Sequence, residues 1–294
     1  MKLLIIGASG QVGHQLMTLS TKEGHETVGT YSAHLEPGLL PLDLRSPAEC
    51  EKRVLEIRPD AVLCVGAMTN VELCETESAL AHLINVEGPL ACARAADKIG
   101  AKFVYFSTEY VFDGRSGPYT EDDPMNPLNV YGRSKADAEA ALRREHPSAL
   151  IVRTTVVYGF DRQGKNFVYQ LLARAKKGEP MRVPNDQVSS PTYNEDLAAA
   201  TLRLTEKRAS GIFHVTGPDI LDRFAFAQVA CEVYGLNPAL LQAVMTAEFK
   251  QKAARPLKAG LLIGKLINTT GFRPRGVRQG LEAMKQRLAE AGVL

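Results

Sequence analysis

The sequence predicts an α/β protein, a Rossmann-type doubly wound parallel sheet with a smaller, interwoven C-terminal substrate region. Three observations predict it. Short apolar runs rich in β-branched residues alternate with longer amphipathic runs through the first 155 residues. Those short runs are apolar on both faces, as strands of a sheet covered by helices on both sides must be. A glycine triplet stands between the first strand and the first helix.

The elements follow in order. "KLLIIG" (2–7) reads as a strand and "QVGHQLMTLSTKEG" (11–24) as a helix ending at Gly24. "ETVGTY" (26–31) is the second strand. "SPAECEKRVLEIR" (46–58) opens with Ser46 as a cap and Pro47 in the first turn, a helix start. "DAVLCVG" (60–66) is the third strand, followed by a long helical stretch over 76–99. "AKFVYFS" (101–107), the helix of "NVYGRSKADAEAAL" (129–142) and "ALIVRT" (149–154) extend the alternation. Beyond residue 155 the pattern changes. A helix over 164–178, an irregular stretch over 180–193, a helix over 195–207, a strand over 211–217 and two or three final helices are expected. These divide into a dinucleotide-binding domain, 1–155 plus about 192–217, and a substrate region, about 156–191 and 218–294.

Composition narrows the function. The 294 residues are 45% hydrophobic and 23% charged, ordinary globular values, with a net charge of +2. That charge gives no reason to expect nucleic acid or an acidic membrane as a partner. No apolar run reaches the roughly 18 residues of a membrane span. The five cysteines, Cys50, Cys64, Cys74, Cys92 and Cys231, form no C-x-x-C pair. They read as reduced packing residues of a cytoplasmic protein. The six histidines are unclustered in sequence, so no metal site is expected.

"GASGQVG" places Gly7, Gly10 and Gly13 as G-x-x-G-x-x-G, with Gln11 and Val12 opening the helix. In such a turn one glycine bends the chain, one lets backbone approach a pyrophosphate, and one lets helix pack close on sheet. The helix N-terminus then offers free N–H groups and a partial positive charge to the phosphates. An acid at the end of the second strand would favour NAD by bonding the 2′-hydroxyl. Here Thr30, Tyr31 and Ser32 stand there, with neither an acid nor an arginine. NADP is therefore favoured slightly over NAD, with tolerance of both. Asp43 in "PLDL" is either an adenine contact or a loop cap.

Tyr131 precedes Lys135 by four positions, which puts a phenol and an ammonium on one helix face. That spacing is common by chance. Its place, on the helix after the fourth strand of a dinucleotide fold, gives it weight. Hydride addition to a ketone leaves an oxygen that must be protonated. A cation about 4 Å from a phenol contributes roughly 4 kcal/mol, or about three pKa units, before desolvation opposes it. The tyrosine would then be a usable acid near neutral pH. Ser107 and Thr108, at the end of the fourth strand, could hold the substrate oxygen or merely cap local backbone.

"GASGQVG", "STEYVFDG", "PLNVYGRSKADAE", "VRTTVVYG", "GKNFV", "DQVSSPTYNEDLA" and "AARP" occur in this order. Together they resemble the extended short-chain dehydrogenase/reductases, and within them the dTDP-4-dehydrorhamnose reductases. The resemblance implies that Thr108, Tyr131 and Lys135 are the catalytic set and that a nucleotide-linked 4-keto sugar is reduced by NADPH or NADH. It also implies cofactor contacts from the glycine loop, from Asp43 and Leu44, and from Gly66, Ala67 and Met68. The sequence departs from the family's pattern in places. Glu109 replaces the usual Asp after the threonine, "CVGA" replaces an Asn-Ala-Ala-Ala run, and Val156 stands where the family has a sugar-facing tryptophan.

A nucleotide diphosphate needs cations, and Arg153, Arg162, Lys165, Arg182 and Arg255 are the candidates, with Arg255 first because it lies in "ARP". Thr69, Glu109, Val156 and Gln187 complete the expected substrate contacts. A homodimer is the expected assembly. Two other readings stand beside a nucleotide-sugar reductase. One is a cofactor-binding regulatory subunit resembling the methionine adenosyltransferase beta subunit, and the other is a nucleotide-sugar epimerase or dehydratase.

Overall fold

The computed structural model describes residues 1–293. In chain order the first elements are β1 (Lys2–Ile6), α1 (Gln11–Lys22), β2 (Glu26–Tyr31), β3 (Leu40–Pro41), α2 (Pro47–Ile57) and β4 (Ala61–Cys64). Next come α3 (Val71–Thr76), α4 (Ser78–His82), α5 (Gly88–Lys98), β5 (Lys102–Thr108), α6 (Val130–Glu145) and β6 (Leu150–Thr154). The second half holds β7 (Val157–Tyr158), α7 (Phe167–Lys177), β8 (Met181–Pro184), β9 (Val188–Ser189), β10 (Thr192–Tyr193) and α8 (Asn194–Glu206). It ends with β11 (Gly211–His214), β12 (Leu221–Asp222), α9 (Arg223–Tyr234), β13 (Leu241–Val244), α10 (Gly264–Thr270) and α11 (Val277–Glu290).

Seven strands form one sheet in the order β11-β6-β5-β4-β1-β2-β3, with every neighbouring pair parallel. The period of two along β1 shows why both faces must be covered. Leu4 and Ile6 pack with α2 and α5, whereas Leu3 and Ile5 pack with α1 and α8. The strand order reverses between β4 and β1, and the carboxyl ends of the strands open a crevice there.

The sequence expectation of one helix over 76–99 is corrected. The chain begins helical at Val71, breaks at Glu77, and passes through a five-residue π turn, Leu83–Glu87, before α5. The turn carries Asn85, which is fully buried. Its side-chain oxygen accepts from Met68 N–H at 2.9 Å, and its amide donates to Met68 O at 3.1 Å and to Ser134 Oγ at 3.0 Å. The wider turn thus spends a helix interruption on holding one cleft loop.

The stretch expected as irregular over 180–193 contains three short strands. Each pairs with a distant partner: β8 with β13, β9 with β12, and β10 with β7. Together with α7, α9 and α11 they enclose a second core of Val168, Leu171, Val183, Phe226, Leu281 and Met284, among others. All five cysteines are buried free thiols. No helix among the described residues is long and apolar enough to cross a membrane.

Candidate active site

A cleft of about 900 Å³ runs along the carboxyl ends of the strands and is floored by the turn after β1. Gly7 makes that turn with φ +88°, and a Cβ there would lie 2.7 Å from Gly66 Cα. Gly13 lets α1 lie against the turn, because its Cβ would meet the Gly7 carbonyl oxygen at 2.2 Å. Gly10 caps α1 without a side-chain hydrogen bond, so the first-turn N–H groups face the cleft unpaired. Gln11 lines the cleft as well, and its buried Nε2 has no partner. Free donors at an uncapped helix start, an orphaned amide and bare glycine backbone fit a dinucleotide pyrophosphate.

At the far end of β2 the cleft is lined by Ser32, Ala33, His34, Asp43, Leu44, Arg45 and Lys165. Arg45, overlooked in the sequence, donates from Nε to Asp43 at 2.7 Å, and this pairing holds the Asp43 carboxyl below its usual range. Lys165 Nζ stands 3.4 Å from His34 Nε2. The cations missing from the end of β2 are thus supplied by other loops.

Tyr131 and Lys135 lie on the cleft face of α6, which Asn129 starts by accepting from Gly132 N–H at 2.8 Å. Thr108 ends β5 beside them, donating to Glu109 Oε2 at 3.1 Å and accepting from Tyr110 N–H at 3.2 Å. The expectation that Lys135 lowers the Tyr131 pKa is corrected. Lys135 Nζ donates to Phe106 O at 2.8 Å and lies over the Tyr105 ring, and burial pushes its pKa down to about 8. Burial also pushes the Tyr131 phenol well above its ordinary value, with the Glu109 carboxyl adding to it. Lys135 contributes nothing resolved against that burial, so Tyr131 enters the site as a neutral, proton-holding phenol. Burial likewise raises the Glu109 carboxyl, opposed by hydrogen bonds and by Arg223. Tyr110 meets Tyr131 edge-on, with ring centroids 5.6 Å apart.

Of the expected site residues, Gly7, Gly10, Gln11, Val12, Ser32, Asp43, Leu44, Gly66, Ala67, Ser107, Thr108, Tyr131 and Lys135 line the cleft, as do Thr69, Glu109 and Val156. Val156 does so with φ +40°, a strained conformation for a β-branched residue.

Other expected residues lie elsewhere. Gly13 is a packing glycine. Thr30 is buried and accepts from Gly7 N–H at 3.3 Å, shaping the turn from beneath. Met68 packs behind Tyr131 with Cys74 and Ala81, because Asn85 grips its backbone from the inner side. Gln187 is turned to Thr246, donating to its Oγ1 at 3.0 Å. Arg255 is drawn to Glu72 at 2.9 Å.

The other expected cations are accounted for by ion pairs. Arg162 pairs with Glu36 at 2.7 Å, Arg182 with Glu248 at 3.0 Å, and Arg153 with Glu139 at 2.7 Å inside the core. The Ser107 hydroxyl also donates to Glu139, away from the cleft. Arg223, which lines the cleft from the second region, was missed in the sequence because nothing local marks it. Far from the cleft, beyond the C-terminal end of α1, exposed Glu23 and Glu206 and half-buried His25 bring ligand atoms within 4.8 Å of one another, a grouping common without an ion.

The comparisons with known proteins agree with this arrangement. The RmlD substrate binding domain family matches residues 1–290. The spore coat polysaccharide biosynthesis protein SpsK of Bacillus subtilis is 35% identical over 291 residues, covering 99% of each chain. The dTDP-4-dehydrorhamnose reductase of Aggregatibacter actinomycetemcomitans is 31% identical, covering 97% of this chain and 98% of its own. The crystal structure of a dTDP-4-dehydrorhamnose reductase from Clostridium acetobutylicum superimposes with a TM-score of 0.89 at 32% identity, over 98% of this chain and 100% of that one. A Bacillus anthracis reductase solved in complex with NADP gives 0.88 at 31% identity, over 97% and 99%. A strand-end threonine, a Tyr-x-x-x-Lys helix and a glycine turn meet in one cleft over the whole matched length, and the chain belongs to the RmlD family of the extended short-chain dehydrogenase/reductases.

Proposed function

We propose that this protein reduces the 4-keto group of a dTDP-linked sugar with NADPH or NADH. The observation that carries this reading is the convergence of Thr108, Tyr131 and Lys135 on one cleft whose other end is built for a dinucleotide. The cofactor, when bound, supplies the hydride. Tyr131 holds its proton at neutral pH because burial favours the neutral phenol. It gives that proton to the ketone oxygen as negative charge develops there. The Thr108 hydroxyl, fixed between the Tyr110 N–H and the Glu109 carboxyl, orients the same oxygen. Lys135 presents a buried ammonium to the same cleft, held by Phe106 O, and its remaining N–H donors are available to a ribose hydroxyl. Leu80, Ile84 and Val71 close the wall around this end and reduce its access to water.

The five buried free thiols support a reducing, cytoplasmic setting. Similarity to dTDP-glucose 4,6-dehydratases, at 17–19% identity, reflects the shared fold.

The test is Tyr131→Phe, assayed by loss of nicotinamide absorbance with a dTDP-4-keto sugar. Turnover is expected to fall about 10²- to 10⁴-fold, the range for loss of a general acid, with cofactor affinity preserved. A variant that turns over at the parent rate would remove Tyr131 from the reaction. A parent that retains cofactor, shows no turnover and captures a partner enzyme would favour the regulatory-subunit reading.

A further inference from the structure

Arg223 has local partners for its backbone and none for its charge. It is the first residue of α9, and Asp222 caps that helix by accepting from Ala225 N–H at 2.8 Å. The Arg223 main-chain N–H donates to Gln187 O at 3.0 Å. The guanidinium lies 5.4 Å from the Phe167 ring centroid and faces the cleft. Its Nε is buried without a hydrogen-bond partner. Among the described residues no carboxylate oxygen comes within 4 Å of it, whereas the neighbouring Arg255 is paired with Glu72 at 2.9 Å. Arg255 keeps one buried nitrogen, Nη1, unpartnered as well, and its guanidinium stands 5.8 Å from the Tyr110 ring centroid. Burial pulls the Arg223 pKa down, opposed by Tyr110 and Glu109, with the like charge of Arg255 adding a smaller downward pull.

Arg223 is half-buried, and a guanidinium whose Nε is shielded without a partner is completed by an anion entering the cleft. Two guanidiniums close enough to repel each other call for an oxyanion. A planar fork of N–H donors matches phosphate oxygens in particular. The site lies one aromatic ring, Tyr110, away from Tyr131. Glu109 makes no ion pair with the guanidinium, and its carboxyl already accepts from the Thr108 hydroxyl at 3.1 Å.

We propose that Arg223 binds a phosphate oxygen of the substrate's nucleotide diphosphate and so sets the affinity for the activated sugar. This rests on the reading of the cleft as a nucleotide-sugar site. With the phosphates held there by α9 of the second region, the sugar extends toward Thr108 and Tyr131. The Arg223 guanidinium, set over the Phe167 ring, is partly ordered before binding, which reduces the ordering that binding requires.

The experiment titrates NADP-loaded parent, Arg223→Met and Arg223→Lys with dTDP and with thymidine in a calorimeter, and separately measures NADP binding. Arg223→Met is expected to weaken dTDP binding about ten- to a hundredfold, the range of one to two charge-assisted hydrogen bonds. Thymidine and NADP binding should be unchanged, and Arg223→Lys should recover part of the loss. In turnover, KM for the dTDP-4-keto sugar should rise by a similar factor while kcat changes little. Equal dTDP affinity in parent and Arg223→Met overturns the proposal, and with a raised KM it moves the contact to the sugar. Equal losses for dTDP and thymidine also overturn it, because the pocket rather than the charge was then at stake. A parent that does not bind dTDP at all overturns the substrate reading itself.

Discussion

Lys135 carries its charge under a penalty. It is 3% exposed, and burial moves its pKa from 10.5 to about 8. Below pH 8 both folded and unfolded chains hold the proton, so the penalty of about 3 kcal/mol is fully present there. Between pH 8 and 10.5 the unfolded chain binds more protons than the native one, so this contribution to stability rises with pH. Lys135→Met is therefore expected to abolish turnover yet stabilise the cofactor-free protein by about 2 kcal/mol at pH 7. The gain should close toward pH 10. Thermal melts at the two pH values check it, and a lower melting temperature at pH 7 would contradict the argument. At the same scale, the i, i+4 spacing made the Tyr131–Lys135 pair legible in the sequence. It did not reveal that Phe106 O and the Tyr105 ring hold the ammonium, since both come from β5, about thirty residues earlier.

At the scale of elements, the turn between β1 and α1 separates two glycine roles that the motif presents alike. A Cβ at Gly13 would meet backbone at 2.2 and 2.7 Å, where nothing flexible can yield. Gly13→Ala must push α1 away from β1, and a loss of about 1–3 kcal/mol in stability is expected. Cofactor affinity should fall with it. A Cβ at Gly10 finds only the Gly7 carbonyl oxygen, at 3.4 Å. Gly10→Ala is expected to unfold at the parent urea concentration and to weaken cofactor binding alone. Urea midpoints and quenching of NADPH fluorescence distinguish the pair. Helix α6 depends on a different device. Its Glu139, fully buried, receives the Arg153 guanidinium of β6 and the Ser107 hydroxyl of β5, fixing the helix over the strand ends that carry Thr108. In the sequence Arg153 looked like a substrate cation because its partner lies fourteen positions away on another element.

On the scale of the molecule, the chain leaves the sheet after β6, builds part of the second core, and returns through α8 to add β11 at the edge. His214 ends that returning strand. It packs edge-on to Phe112, near Arg153, Asp123 and Lys265, and its Nδ1 lies 3.2 Å from Leu262 O. Burial first, then Arg153, lowers its pKa from 6.5 to about 3. Below pH 6.5 the unfolded chain takes up a proton that the native one refuses, so stability falls as pH falls. The loss from this group is about 2 kcal/mol by pH 5. His214→Gln should narrow the difference between urea midpoints at pH 7 and pH 5, and an unchanged difference would place the acid sensitivity elsewhere.

The sequence by itself determined the parallel sheet, the glycine turn and the Tyr131–Lys135 pair, because each is written in local periodicity or in spacing along one element; Thr108 joined that pair only through the family resemblance. Only the tertiary structure decided what surrounds them. The short strands β8, β9 and β10 exist through partners up to 60 residues distant in register. The π turn exists to let Asn85 grip Met68. Arg223 becomes a cleft residue only when α9 docks beside Gln187. Pairing across such distances depends on which surfaces meet after folding, and no run of neighbouring residues encodes that.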